Sequence, residues 1–157
     1  MSESVSSKST ASFKVISLDL TYVKCCRQLD EIALQGLWSY QQWHDELANP
    51  QSICIGIKKL SKLLAVGSGQ VVVDELQLTS LAVHPQFRRK GIGRSLLLIL
   101  FEEARSRGAV KAILEVSSKN IAARALYNGL GFKTTGSRKR YYSNGGEALI
   151  QSCSLDG

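Results

Sequence analysis

The chain has 157 residues and a mass of 17.2 kDa, the size of one globular domain, and its 44% hydrophobic and 21% charged residues can build a core. The longest strongly apolar stretch, Leu96 to Phe101, is too short to span a bilayer, and the polar, serine-rich Met1 to Ser12 does not resemble a signal peptide. A membrane-bound or secreted protein is therefore not expected, and a cytoplasmic one is. Twenty Lys and Arg against thirteen Asp and Glu give a net charge of +7. That excess is uneven: residues 1–80 carry seven basic and eight acidic side chains, residues 81–157 thirteen and five. An anionic partner is expected to meet the second half.

In chain order, residues 1–12 read as a disordered tail and residues 13–157 as the single domain. Phe13 to Leu20 has the pattern of a strand. Thr21 to Leu34 reads as a helix with Val23, Cys26, Leu29 and Ala33 on one apolar face. Ser39 is placed to cap a second helix running to Leu47, which Pro50 closes. Ser52 to Ile57, Leu63 to Val73 and Leu76 to Val83 are β-rich, the last ending at His84-Pro85. After Gly91-Ile92-Gly93 comes a helix with Leu96, Leu97, Leu100 and Ala104 along one face and Gly108 as its stop. Val110 to Val116 is an apolar strand interrupted by Glu115. Asn120 to Asn128 reads as a helix ended by Gly129-Leu130-Gly131, and Lys133 to Ser137 and Ala148 to Ser154 close the domain as strands. The order β-α-α-β-β-β-α-β-α-β-β predicts one mixed α/β domain without internal repeats.

Four cysteines (Cys25, Cys26, Cys54 and Cys153) show no CxxC spacing and no paired histidines, so no metal site is expected. Neighbouring residues such as Cys25 and Cys26 are poorly placed to bridge, and all four read as reduced thiols. His44 lacks a second ligand at helical spacing and reads as a surface helix residue, while His84 reads as a turn residue before Pro85.

The most informative segment runs from Leu81 through Ala82, Val83, His84 and Pro85 to Arg88-Arg89-Lys90-Gly91-Ile92-Gly93-Arg94. A strand feeds a turn with two glycines and three consecutive cations, and the turn opens an apolar helix. Backbone N–H groups there can approach an anion without a Cβ in the way. The helix N-terminus and the arginines add positive charge. The segment is neither a dinucleotide fingerprint, since Leu96 stands where the third glycine would be, nor a Walker loop.

This Arg88-x-x-Gly91-x-Gly93 segment, after a strand ending Ala82-Val83-His84-Pro85, resembles the acetyl-coenzyme-A signature of the GNAT acetyltransferases. A second segment, Leu114-Glu115-Val116, then Asn120, then Ala125-Leu126-Tyr127 and Leu130-Gly131-Phe132, resembles the ribosomal-protein-alanine (RimI-type) subfamily. Arg138-x-x-Tyr141-Tyr142 and Trp38-Ser39 resemble further elements of that subfamily. The chain departs from its pattern at Leu37 and Ser143, where prolines are usual, and both positions fall where the acceptor would bind.

The resemblance covers about residues 13–155 and implies a central, mostly antiparallel sheet with a splayed strand pair, flanked by helices. It implies acetyl-CoA as co-substrate, lined by Leu81, Ala82, Val83 and by Arg88, Arg89, Lys90, Gly91, Ile92, Gly93 and Arg94, with Asn120 as a further contact. Glu115 would be the general base and Tyr127 the general acid. Trp38, Tyr141 and Tyr142 would line the acceptor site.

The residue chemistry agrees with those roles. Acyl transfer needs a neutral amine and a proton for the departing thiolate. A carboxylate in an apolar strand is expensive to bury without purpose, and partial desolvation there would make Glu115 a better base; a plain ion pair with a nearby cation is its alternative reading. Tyr127 is a credible acid, since a phenol near pKa ~10 stays protonated where a thiol near ~8.5 does not; its alternative is a core tyrosine. An α-amine of pKa about 7.8 is roughly a tenth neutral at pH ~7, whereas lysine is neutral about once in a few thousand molecules. One carboxylate acting through water therefore suits a protein N-terminus, and the resemblance implies a ribosomal protein as the acceptor. The alternatives are a small amine such as a polyamine or amino sugar, or a non-catalytic RNA- or ribosome-binding module supported by charge alone. No direct nucleic-acid or membrane partner is expected.

Overall fold

The computed structural model describes residues 13–139 and 146–155. The expected tail at residues 1–12, and Tyr141, Tyr142 and Ser143 of the acceptor motif, lie outside the described residues. Its helices and strands follow the expected order: β1 (Phe13–Ser17), α1 (Val23–Leu34), α2 (Tyr40–Ala48), β2 (Ser52–Lys59), β3 (Lys62–Val72), β4 (Glu75–Val83), α3 (Ile92–Ser106), β5 (Lys111–Ser117), α4 (Ile121–Gly129), β6 (Lys133–Arg138) and β7 (Ala148–Ser154). Short 3-10 turns at Leu20–Tyr22 and Pro85–Phe87 join neighbouring elements.

Local chemistry explains where elements begin. The first strand stops at Ser17 rather than Leu20 because the Asp19 carboxylate accepts from the Thr21 N–H at 2.9 Å and starts a turn. Ser39 caps α2 as expected, and the cap is reciprocal: Ser39 Oγ accepts from the Gln42 N–H at 3.1 Å while Gln42 Oε1 accepts from the Ser39 N–H at 2.8 Å. Asn120 Oδ1 caps α4 by accepting from the Ala123 N–H at 3.1 Å.

The strands form one sheet in the order β1-β2-β3-β4-β5-β7-β6. All neighbours are antiparallel except β4 and β5. Successive residues of a strand face opposite sides, so Ile53, Ile55 and Ile57 join a core with Leu96, Leu97, Leu100 and Ala104 of α3, and with Tyr127 of α4. Cys54 and Val66 join a second core with Val23, Cys26 and Leu29 of α1 and Trp43 of α2. Thus α3 and α4 cover one face and α1 and α2 the other. The four expected α3 residues are all fully buried, each leucine contributing about 1.5–3 kcal/mol by burial.

Candidate active site

The cleft arises from one pairing that stops early. The parallel ladder of β4 and β5 joins Glu75 to Lys111, Leu76 to Ala112 and Gln77 to Ile113, and ends there. β5 continues to Ser117 against β7 alone, while β4 continues to Val83 against β3 alone. From residue 78 onward the β5-facing edge of β4 therefore has no strand partner among the described residues. Leu81, Ala82 and Val83 lie on that open edge; alternate residues turn their backbone groups to β3, the others face the gap, and the Val83 carbonyl is taken by the Arg88 side chain.

At the end of β4 the chain enters the basic loop. Arg89 has φ +62° and Gly91 φ +77°, both in the left-handed region, which turns the backbone into the first turn of α3. A Cβ at Gly91 would meet nothing within 4 Å, so its outer side is open. Gly93 sits at a junction: its Cβ position lies 3.4 Å from Leu126 of α4 and 3.7 Å from Val83 of β4. The loop, the end of β4 and α4 therefore converge there. Arg89, Lys90 and Arg94 are exposed, with charges that can face an anion, and Ile92 is half-buried. Arg88 differs. Its Nε donates to the Val83 carbonyl at 3.1 Å and its guanidinium NH2 to the Ala33 carbonyl at 3.0 Å, so it ties the strand end to α1.

Glu115 departs from the sequence expectation. It is not buried in the apolar strand: Ala112, Leu114 and Val116 point into the α3 core, and Glu115 points to the opposite face, exposed. Its carboxylate is 3.3 Å from the Arg138 guanidinium, with its side chain a third exposed, so desolvation is not what would make it a base. The strand alternates in burial, but the apolar run concealed this because Ile113, on the same face as Glu115, is apolar too. Arg138 opens the Arg138-x-x-Tyr141-Tyr142 motif and so connects that motif to Glu115.

Tyr127 lies on the other face. It is 9% exposed, its ring 5.6 Å from that of Phe132, and burial pushes its phenol up to about 12. The group therefore stays an O–H donor near pH ~8, where an α-amine loses its proton. Glu115, on the part of β5 beyond its last pairing with β4, and Tyr127 thus lie on opposite faces of the sheet. Asn120, exposed at the start of α4, has its Oδ1 engaged in the cap and keeps its Nδ2 as a donor.

The loop that carries Trp38 is organised by a residue the sequence pattern did not single out. Asp30 is 1% exposed, and its carboxylate accepts from the Leu37 N–H (2.7 Å), the Trp38 N–H (3.0 Å) and Trp43 Nε1 (2.8 Å). It fixes the α1–α2 loop and with it Trp38, whose ring centroid is 4.6 Å from that of the fully buried Trp43. The available signal was spacing: Asp30 lies four residues beyond Cys26 on the buried side of α1. His84, read as a turn residue, caps the Pro85–Phe87 turn through Nδ1 and is 7% exposed.

A model of the Acetyltransferase (GNAT) family matches residues 21–132. The ribosomal protein bS18-alanine N-acetyltransferase of Escherichia coli K12 is 44% identical over 128 residues, 82% of this chain and 86% of that protein. The protein of the same name from Salmonella typhimurium is 46% identical over 81 residues, so the chain spans about half of that relative, 55%. The crystal structure of the ribosomal-protein-S18-alanine N-acetyltransferase from Escherichia coli superposes with a TM-score of 0.85 at 30% identity, covering 92% of this chain and 95% of that one.

Proposed function

Because the chain belongs to the acetyltransferase (GNAT) family, its chemistry is acetyl transfer, and we propose that it moves the acetyl group of acetyl-CoA to the N-terminal α-amine of a protein, an N-terminal alanine of a small ribosomal protein. The observation that carries this reading is the parting of β4 from β5, with Glu115 on one face and Tyr127 on the other. The names of the relatives at 44% and 46% identity support the choice of acceptor.

Acetyl-CoA supplies the activated thioester. Leu81, Ala82 and Val83 would line it along the open edge of β4. Arg89, Lys90, Gly91, Ile92, Gly93 and Arg94 would hold its phosphates, with Asn120 a further contact. The open side of Gly91, the exposed cations and the N-terminus of a fifteen-residue helix fit such a polyanion. Arg88, engaged by two carbonyls, would act by holding the strand end and α1 together rather than by binding phosphate directly.

Trp38 and the Tyr141-Tyr142 pair would position the amine. The neutral amine attacks the thioester carbon as the C–N bond forms, and a backbone N–H near Val83 polarises the carbonyl. Glu115, through water, takes the proton the nitrogen sheds. The C–S bond then breaks, and Tyr127 delivers its proton to the thiolate. Arg138 keeps Glu115 oriented toward the cleft.

Intact-mass analysis after incubation with acetyl-CoA and peptides beginning with Ala, Ser or Met, with a polyamine and an amino sugar alongside, tests the acceptor. A single acetyl addition, fastest on the Ala peptide, is expected. Turnover of the small amines alone would replace this acceptor, and stabilisation by RNA without any turnover of acetyl-CoA would replace the enzyme reading.

A further inference from the structure

β4 contains a break in period that the site described above does not use. Leu76, Leu78, Leu81 and Val83 all pack against the α3 core, although uninterrupted alternation would put Leu78 and Leu81 on opposite faces. The extra residue is Thr79: Ser80 pairs with Ser68 and Leu78 with Gly69, and Thr79 is skipped. This is a β-bulge, and the strands are close beside it. A Cβ at Gly69 would lie 2.8 Å from Leu76 Cδ1 and 2.9 Å from the Gln77 carbonyl oxygen.

A carboxylate from another layer holds the extra residue. Thr79 Oγ1 donates to Glu46 Oε2 at 2.6 Å. The Ser68 and Thr79 hydroxyls are 2.8 Å apart, and with the Thr79 proton already given to the carboxylate, Ser68 is the donor. Gln70 Nε2 donates to Glu46 Oε1 at 3.2 Å. Glu46 belongs to α2 and is 7% exposed, a buried carboxylate satisfied by these neutral donors. The bulge falls two residues past Gln77, the last residue of β4 paired with β5.

We propose that Glu46 is a positioning residue which, through Thr79, sets the register of Leu81–Val83 and so shapes the wall that acetyl-CoA lies against. In the splayed half, β4 is paired on one side only, by β3, so fewer contacts hold its register. Absorbing Thr79 into regular pairing would turn Leu81 and Val83 away from α3 and Ala82 toward it, since a one-residue slip exchanges the faces of a strand. A charge-assisted hydrogen bond to the extra residue opposes that slip. The inference rests on the assignment of acetyl-CoA to the open edge of β4.

The test is titration calorimetry of acetyl-CoA with the wild type, Thr79→Val, Glu46→Leu, the double variant and Thr79→Ser. Thr79→Val and Glu46→Leu are each expected to weaken binding about tenfold, the order of one hydrogen bond to a charged group. The double variant should be no weaker than the worse single one by more than about twofold, and Thr79→Ser, which keeps the hydroxyl, should bind within about threefold of wild type. Failure of the wild type to bind acetyl-CoA overturns the coenzyme assignment and this inference with it. Binding unchanged in Thr79→Val, or losses that multiply in the double variant, overturns the positioning role alone. Should those variants fold poorly, amide exchange in the milder Glu46→Gln decides: about tenfold faster exchange confined to Ser80–Val83 is expected, and unchanged or uniformly faster exchange overturns the role.

Discussion

The two faces of the sheet are held by different chemistry. On the α3 side the buried contacts are almost wholly apolar, and charge lies on the exposed face of α3 and in the loop at its rim. On the α1–α2 side, Asp30 and Glu46 are buried among the apolar residues, each accepting from neutral donors, and Glu115 stands exposed on the same face. Apolar contact is non-directional and fixes compactness, whereas a carboxylate with two or three donors fixes orientation. The difference teaches that the first face supplies stability and a preformed helix end, whereas the second fixes orientation and, under the proposed function, would aim the groups that meet an amine.

The largest effects should come where the faces meet. Tyr127→Phe and Glu115→Gln are each expected to lower kcat about 10²–10³-fold at saturating substrates, with little change in unfolding free energy. Stopped-assay kinetics on the preferred peptide would check this, and an unchanged kcat in both would remove them from the chemistry. Next come two variants that separate the faces. Leu100→Ala empties space in the α3 core and should cost about 3 kcal/mol in urea unfolding, with KM for the acceptor unchanged. Asp30→Ala should cost about 2–3 kcal/mol and also raise the acceptor KM several-fold, because it releases the Leu37 and Trp38 amides and Trp43. Equal acceptor KM in the two would erase the distinction between the faces. Gly91→Ala, at φ +77° in open space, should cost only about 1 kcal/mol, and any larger loss in acetyl-CoA affinity would report on the approach of the ligand.

What was legible in the sequence follows the same division. The order of elements, the Ser39 cap and the buried face at Leu96, Leu97, Leu100 and Ala104 could be read because helix period and caps are local signals. Asp30 and Glu46 could not, because an acidic residue in a helix usually faces water, and their decisive partners, Trp43 Nε1 and Thr79 Oγ1, lie 13 and 33 residues away in the chain. Glu115 was read onto the wrong environment because an apolar run does not reveal which side of the strand a cleft opens on. The bulge did leave a trace. The apolar spacing of β4 changes from two to three between Leu78 and Leu81, where a regular strand would keep it at two.

The smallest effect concerns His84, where the loop meets both layers. Burial first, and then the positive charges of Lys62 and Arg88, hold its imidazole below the ordinary value of 6.5. Its Nδ1 accepts from the Gln86 N–H at 3.2 Å, so protonation there would remove the cap of the turn before Arg88. In the unfolded chain His84 gains its proton near pH ~6.5, while the folded state resists until lower pH. Between those two points the unfolded state binds more protons, so stability is full above about pH 6.5 and declines as pH falls through the window. Urea midpoints at about pH 7.5 and about pH 5.5 should therefore differ in the wild type, and the difference should shrink in His84→Asn, which keeps a cap acceptor without a titrating ring. A pH response identical in the variant would place the sensitivity elsewhere and leave the joint between Val83 and Arg88 indifferent to charge at His84.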